Sequence, residues 1–325
     1  MAFIPLKKTD IQQLVSFREG EVKVGETIQV EKTIERSSAN FVLLGIPEDI
    51  GPKANCGKGG ANTAWEAFLP KFLNIQETNS LHGEDILLLG AFDFTSLIEE
   101  TSTLEQLRAG VEIIDKEVST LIEEIVKAEK IPLVIGGGHN NSYGLLKGTS
   151  KALDKKVNCI NLDPHADYRA LEGRHSGNGF SYAKNEKYLE KYSIVGLHEN
   201  YNSQAMLDQL TNDGIHFSTY EAIFLRKEFN YETAIQKALS FVQLSSFGVE
   251  LDCDAIENFP SSAQTPSGIS ALQARQYIHA TASLPNTIYL HLPEAAPSLV
   301  TNSSEQVGKL LSYLVSDFIR AKNLI

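Results

Sequence analysis

Cysteine is scarce in this chain: Cys56, Cys159 and Cys253 are the only three in 325 residues. An odd number at no metal-ligand spacing argues against a disulfide framework and fits a reducing compartment. Long apolar runs are missing too, and none reaches the length of a bilayer span. The opening Met-Ala-Phe-Ile-Pro-Leu-Lys-Lys lacks the apolar stretch of a secretory signal, so a cytoplasmic protein is expected. Positive charge is in deficit, with 29 Lys and Arg against 41 Asp and Glu, a net charge of -12. Such a surface repels phosphate backbones and anionic lipid, which argues against nucleic acid and membrane as partners. Repeats of fixed period and low-complexity segments are absent.

What the chain has is core-forming material. Hydrophobic residues make up 42% and charged residues 22%, the balance of a folded globular protein rather than a disordered one. Residues 1–38 are polar and mixed and read as an N-terminal extension with limited structure, leaving 39–325 as one domain. From there, short β-rich runs alternate with helical patterns. Strands are expected at Phe41 to Ile46, Asp85 to Leu89, Leu133 to Ile135, Val157 to Leu162, Tyr192 to Leu197, Ile215 to Phe217, Phe247 to Leu251 and Thr287 to Leu292. Between them, Leu107, Val111, Ile114, Val118, Leu121, Ile122 and Ile125 recur at helical intervals after a capping-box spacing at Ser102 and Glu105. A closing amphipathic helix carries Val307, Leu310, Leu311, Leu314, Val315 and Phe318 after the same spacing at Ser303 and Gln306. The apolar runs lack strict alternation, as strands covered on both faces do. The fold class is therefore α/β, a three-layer sandwich around a mostly parallel sheet of about eight strands.

In open parallel sheets, ligands bind beyond the carboxyl ends of the strands. Three apolar runs here end in chemistry-bearing residues. Leu133-Val134-Ile135 runs into Gly136-Gly137-Gly138-His139, where glycines permit a tight turn and close approach to a bound group. The run to Leu162 is followed by Asp163-Pro164-His165-Ala166-Asp167, and the run to Leu251 by Asp252-Cys253-Asp254. Alternate residues of an extended segment share a face, so these side chains can converge. Four carboxylates and two imidazoles in one place repel one another unless cations are present. Mixed Asp and His ligands suit Mn²⁺, and six of them suit two ions better than one. Cys253, between two ligands, points away from them by the same alternation. His82, His216 and His279 have no partner pattern, His291 reads as a hydrogen-bonded core residue, and Trp65 as helix packing.

At these residues the chain resembles the ureohydrolase family of arginases, agmatinases and formimidoylglutamases. The likeness runs in order from about residue 40 to the end. It passes through Gly45-Ile46-Pro47-Glu48-Asp49-Ile50-Gly51, Gly59-Gly60-Ala61, Gly136 to Gly144, the two Asp-rich segments and Pro293-Glu294-Ala295-Ala296-Pro297. The resemblance implies one metal on His139, Asp163, Asp167 and Asp252, and a second on Asp163, His165, Asp252 and Asp254, with Asp163 and Asp252 bridging. It implies hydrolysis of an amidine or guanidine, in which hydroxide formed between the metals attacks the C=N carbon. Asp167 would steady the intermediate and assist proton transfer, and Glu294 would face the cationic amidinium. A homo-oligomer, trimer or hexamer, is implied as well.

Within the family, Gly138, the segment Gly196 to Ser203, and Ser176-Gly177-Asn178-Gly179-Phe180 look most like formimidoylglutamases. The expected substrate is N-formimidoyl-L-glutamate, cleaved to glutamate and formamide. There are departures. Asn140-Asn141 replaces an acidic-apolar pair, and Asn178-Gly179 replaces Thr-Pro. Phe180 stands where arginases carry a proton-shuttling histidine, so His175 becomes the candidate shuttle. Ser176 and Asn178 are candidate contacts for a substrate carboxylate, with Arg169 and Arg174 as added positive charge. Two alternatives stay open: another guanidino substrate, or a metal-bearing homologue without turnover.

Overall fold

The computed structural model describes residues 2–325. Nine strands form a single sheet: β1 (Ala2–Pro5), β2 (Phe41–Gly45), β3 (Ile86–Asp93), β4 (Ile131–Ile135), β5 (Val157–Leu162), β6 (Leu189–Leu197), β7 (His216–Thr219), β8 (Phe247–Leu251) and β9 (Thr287–Leu292). Their spatial order is β1-β3-β2-β4-β9-β8-β5-β6-β7. Every pairing is parallel except β1 with β3.

Strand alternation divides the core into the two apolar layers of the sandwich. Phe41 and Leu43 of β2, Ile160 and Leu162 of β5, and Val249 and Leu251 of β8 face one layer, closed by helices Ala64–Phe72, Tyr231–Val242, Ala271–Ala282 and Ser304–Lys322. Val42 and Leu44, Val157 and Cys159, and Tyr289 of β9 face the other, closed by helices Leu104–Lys127 and Asn141–Leu153. Trp65 is buried in the first of these layers.

Eight of the nine strands lie where the apolar runs place them. The ninth corrects the reading of residues 1–38 as having limited structure. β1 pairs antiparallel with β3, from Ala2 opposite Asp93 to Pro5 opposite Gly90, and Phe3 meets Phe92 edge to face at 5.1 Å. Ile11, Val24 and Ile28 enter the first apolar layer. A four-residue strand ending in proline leaves little periodic signal. The long helix also starts one residue later than its capping spacing suggested. Thr103 is the N-cap, accepting from the Gln106 N–H at 3.2 Å, while the Gln106 side chain accepts from the Thr103 N–H at 3.1 Å. Ser303 is the N-cap of the closing helix, but its hydroxyl donates to the Pro297 carbonyl at 2.8 Å and does not cap.

Candidate metal centre

Strands β4, β9, β8 and β5 are consecutive neighbours in the middle of the sheet. His139 follows β4, Glu294 follows β9, Asp252 and Asp254 follow β8, and Asp163, His165 and Asp167 follow β5. Residues far apart in the chain thereby meet at one sheet edge, the edge where α/β folds bind ligands.

The turn after β4 is built around glycine. Gly136 and Gly137 adopt φ of 83° and 73°, a region costly for residues with a Cβ. A Cβ on Gly138 would stand 2.3 Å from Pro52 Cδ, so the helix Ile50–Ala54 leaves no room for a side chain there. The buried Glu48 carboxylate locks this turn. It accepts from the Gly138 N–H and the Asn141 amide through one oxygen, at 2.7 Å each, and from the Ile50 and Gly51 N–H groups through the other.

His139 is completely buried, and its Nδ1 lies 2.9 Å from Asp167 Oδ2, 2.9 Å from Asp252 Oδ2 and 3.1 Å from Asp163 Oδ2. On the far side of Asp163, His165 Nδ1 is 3.6 Å from Asp163 Oδ1 and 3.2 Å from Asp254 Oδ2. All six sequence-selected groups are thus brought together, as two overlapping clusters that share Asp163. Asp252 groups with the His139 cluster alone and not with both as the resemblance implied, and its other oxygen accepts from the Asp254 N–H at 2.8 Å. The Asp163 carboxylate is oriented by the His165 N–H at 2.6 Å and the Asn161 amide at 2.9 Å.

Electrostatics identify what the cluster wants. Burial, added to by mutual repulsion with Asp163, pushes Asp167 and Asp252 up, and burial also pushes Asp254 up. Burial acts on Asp163 as well, but the flanking His139 and His165 hold it below the usual carboxylate range. Burial opposes charging of both imidazoles, yet the surrounding carboxylates raise them well above normal. A site that draws protons onto its histidines is a site short of positive charge. Protons do not fit it well. One Nδ1 faces three carboxylates, yet it makes no hydrogen bond of proper geometry with any of them, and Asp254 Oδ1 is likewise buried and unpartnered. Divalent cations with Asp and His donors satisfy these atoms together. Two residues at the site, Asp167 and Glu294, hold φ of 45° and 64°, strain of the kind functional sites retain.

A cavity of about 430 Å³ opens over the cluster. His165, Asp167, Asp252, Asp254 and Glu294 reach it, and Asn55, Arg169, Ser176 and Tyr201 wall it. Glu294 accepts from the His139 N–H at 2.8 Å and from the Ser262 hydroxyl, and burial pushes its pKa up to about 8. Arg169 is more than half exposed at the mouth and donates to Asn55 Oδ1 at 3.2 Å. Ser176 accepts from the Asn55 amide at 3.4 Å.

Two expected site residues lie elsewhere. His175 does not reach the cavity. Its Nδ1 accepts from the Gly177 N–H at 3.1 Å, its Nε2 lies 3.2 Å from Glu172, and burial pushes its pKa down to about 4. A ring neutral at pH 7 and turned into its own loop is not placed to carry protons to the Asp–His cluster. Asn178 spends both ends of its amide inside the same loop. It accepts from Arg174 at 2.6 Å and the His175 N–H at 3.0 Å, and donates to Gly173 and Ala170 carbonyls at 2.8 and 3.3 Å. Arg174 is buried against Asp115, 2.8 Å from Nε, so it too holds the loop and not a ligand. Phe180 packs edge to face on the His139 ring at 5.2 Å, an apolar contact where arginases place their shuttle.

Sequence reasoning missed Asn55, and it singled out the segment Gly196 to Ser203 without giving Tyr201 and Asn202 a place at the site. Tyr201 stacks on His165 at 5.2 Å, and Asn202 ties the metal loop down by donating to the Pro164 carbonyl and accepting from the Ala166 N–H. It also missed Glu250, a glutamate inside an apolar run, which is itself a signal. Cys253 is buried in an apolar layer, and His291 is a buried core residue hydrogen-bonded to Glu250, both as expected.

A buried cation nest at the carboxyl edge of a doubly covered parallel sheet, open to a small cavity, defines a metal-dependent hydrolase. The Arginase family model matches residues 39–318, and the chain belongs to that family. A formimidoylglutamase of Macrococcus caseolyticus is 26% identical over 281 residues, covering 84% of this chain and 83% of the relative. Among solved structures, formimidoylglutamase from Bacillus subtilis superimposes with a TM-score of 0.79 at 18% identity, over 95% of each chain. Trypanosoma cruzi formiminoglutamase with Mn²⁺ gives 0.76 at 19%, over 93% of this chain and 99% of the other.

Proposed function

We propose that this enzyme hydrolyses a C–N bond of a linear amidine, with N-formimidoyl-L-glutamate as the best fit, to glutamate and formamide. Two divalent ions, Mn²⁺ foremost, would be held by His139, Asp163, Asp167 and Asp252 on one side and by Asp163, His165 and Asp254 on the other. Bound there, they supply Lewis acidity and lower the pKa of water towards neutrality. The chain's own groups do the rest. Glu294 receives the amidinium through charge-assisted hydrogen bonds, and the incoming cation returns its carboxyl to the ionised form. Asp167, which reaches the cavity beside the cluster, would take the proton of the attacking water on its carboxylate and pass it to the departing amine.

The observation that carries the substrate choice is polarity along the cavity. The floor is anionic, whereas the mouth offers the Arg169 guanidinium beside Ser176 and Asn55. A substrate with an amidine at one end and carboxylates at the other matches both. The curated relative named formimidoylglutamase supports the same reading. Purified enzyme loaded with Mn²⁺ should release formamide from N-formimidoyl-L-glutamate. Release of urea from arginine or agmatine, with no formamide, would overturn the choice.

A second reading, hydrolysis of another guanidino compound, draws on the loop from His175 to Phe180. Asn178 is consumed internally there, so the contact expected from it must come from elsewhere. Measuring ammonia, urea and formamide across a small substrate panel separates the two.

A further inference from the structure

Directly beneath the metal layer, the sheet carries a buried polar row where an apolar one is the rule. Asn161 of β5, Glu250 of β8 and His291 of β9 are register partners across three adjacent strands. All three are completely buried. Strand alternation puts Asn161 on the face of Asp163 and Glu250 on the face of Asp252, each one step below a metal-binding carboxylate. A buried glutamate is costly unless its oxygens are satisfied. Here Tyr289 donates to Glu250 Oε1 at 2.9 Å, and His291 Nδ1 lies 2.6 Å from Glu250 Oε2. The His291 ring is braced in turn, with Nε2 3.4 Å from the Gly136 carbonyl. The same Oε2 faces His139 Nε2 at 3.5 Å.

We infer that Glu250, clamped by Tyr289 and His291, is a positioning residue that accepts a hydrogen bond from the Nε2–H of His139, keeping the proton on that nitrogen and so committing Nδ1 to the cation on that side of the nest. The inference rests on the metal-dependent reading above. An imidazole donates one lone pair to a metal only if its proton sits on the other nitrogen, and a carboxylate behind that nitrogen fixes tautomer and ring orientation. His139 Nε2 is buried and makes no other properly formed hydrogen bond. Engagement of Nδ1 with a cation polarises Nε2–H towards Oε2. His165 differs: it is partly exposed and stacks on Tyr201, so the pair of sites is built asymmetrically, with one imidazole backed by a carboxylate and the other by a ring. The cation on the His139 side is therefore the one Glu250 tunes.

The test is Mn²⁺ titration of metal-free wild type, Glu250→Gln and Tyr289→Phe. Each is followed by bound-metal stoichiometry and by electron paramagnetic resonance, which separates an exchange-coupled Mn²⁺ pair from a single ion. Wild type should take two ions. Glu250→Gln should lose affinity for one of them about tenfold to a hundredfold, with the coupled signal replaced by that of one ion. Tyr289→Phe, which removes one clamp and little volume, should weaken the same ion by less, and it keeps the inference testable where the glutamine variant does not fold. Thermal unfolding of the metal-free proteins reports any purely structural effect. Two coupled ions bound at wild-type affinity in both variants would overturn the inference. Wild type that binds no Mn²⁺ would overturn the metal-dependent reading along with it, so the two failures are distinguishable.

Discussion

At the residue scale, Asp163, His165, Asp167, Asp252 and Asp254 were legible because they alternate after two apolar runs, and His139 because it closes the glycine turn after a third. Contacts made by loops were not. His175 and Asn178 sit in a segment whose path is set by the buried Arg174–Asp115 pair, and nothing local in the sequence says which way that loop turns its side chains. Glu294 is expected to matter through charge: Glu294→Gln should raise KM for an amidinium substrate by about tenfold to a hundredfold, the worth of hydrogen bonds to a charged group, in steady-state kinetics. His175 gives a stability prediction instead of a catalytic one. Its folded pKa is depressed from 6.5 to about 4 by burial. Between those values the unfolded chain binds a proton that the folded chain does not, so the stability this residue contributes is complete above pH 6.5 and lost as pH falls through 4. Denaturant unfolding of His175→Asn at pH 7 and pH 4.5 should show a shallower acid loss than wild type. An altered pH profile of turnover near neutrality would restore His175 as a proton carrier.

At the scale of elements, the strands were legible from composition because both faces of the sheet are apolar, and runs such as Val157–Leu162 and Phe247–Leu251 begin and end where the structure puts them. β1 was not, since an edge strand of four residues carries no periodicity to read. The turn after β4 was legible in its glycines, but the reason for Gly138 lies in another element, Pro52 of helix Ile50–Ala54. Gly138→Ala should displace that helix and cost about 1 to 3 kcal/mol, the usual range for overpacking. A lowered melting temperature together with weakened metal uptake would register the effect, because His139 is the next residue. An unchanged melting temperature would show that Pro52 yields freely.

At the scale of the whole molecule, a candidate cation nest whose ligands follow three strands, β4, β5 and β8, would couple ligand binding to global stability. Metal that binds only the folded chain stabilises it by about 2.7 kcal/mol at a free concentration a hundred times its Kd. Chelation should lower the melting temperature, and adding Mn²⁺ back should restore it in proportion to the logarithm of its concentration, as differential scanning calorimetry measures. No helix among the described residues is long and apolar enough to cross a membrane.

The order of strands has a consequence for biogenesis. β9, formed by Thr287–Leu292, inserts between β4 and β8, which precede it in the chain. Until β9 docks, β1-β3-β2-β4 on one side and β8-β5-β6-β7 on the other face each other with open edges, so the sheet cannot close until a strand made after both has taken its place. Unpaired edges of that kind invite wrong partners. His139 stands on one side of that gap and the other five candidate ligands on the other, so the cluster can assemble only once β9 has bridged them.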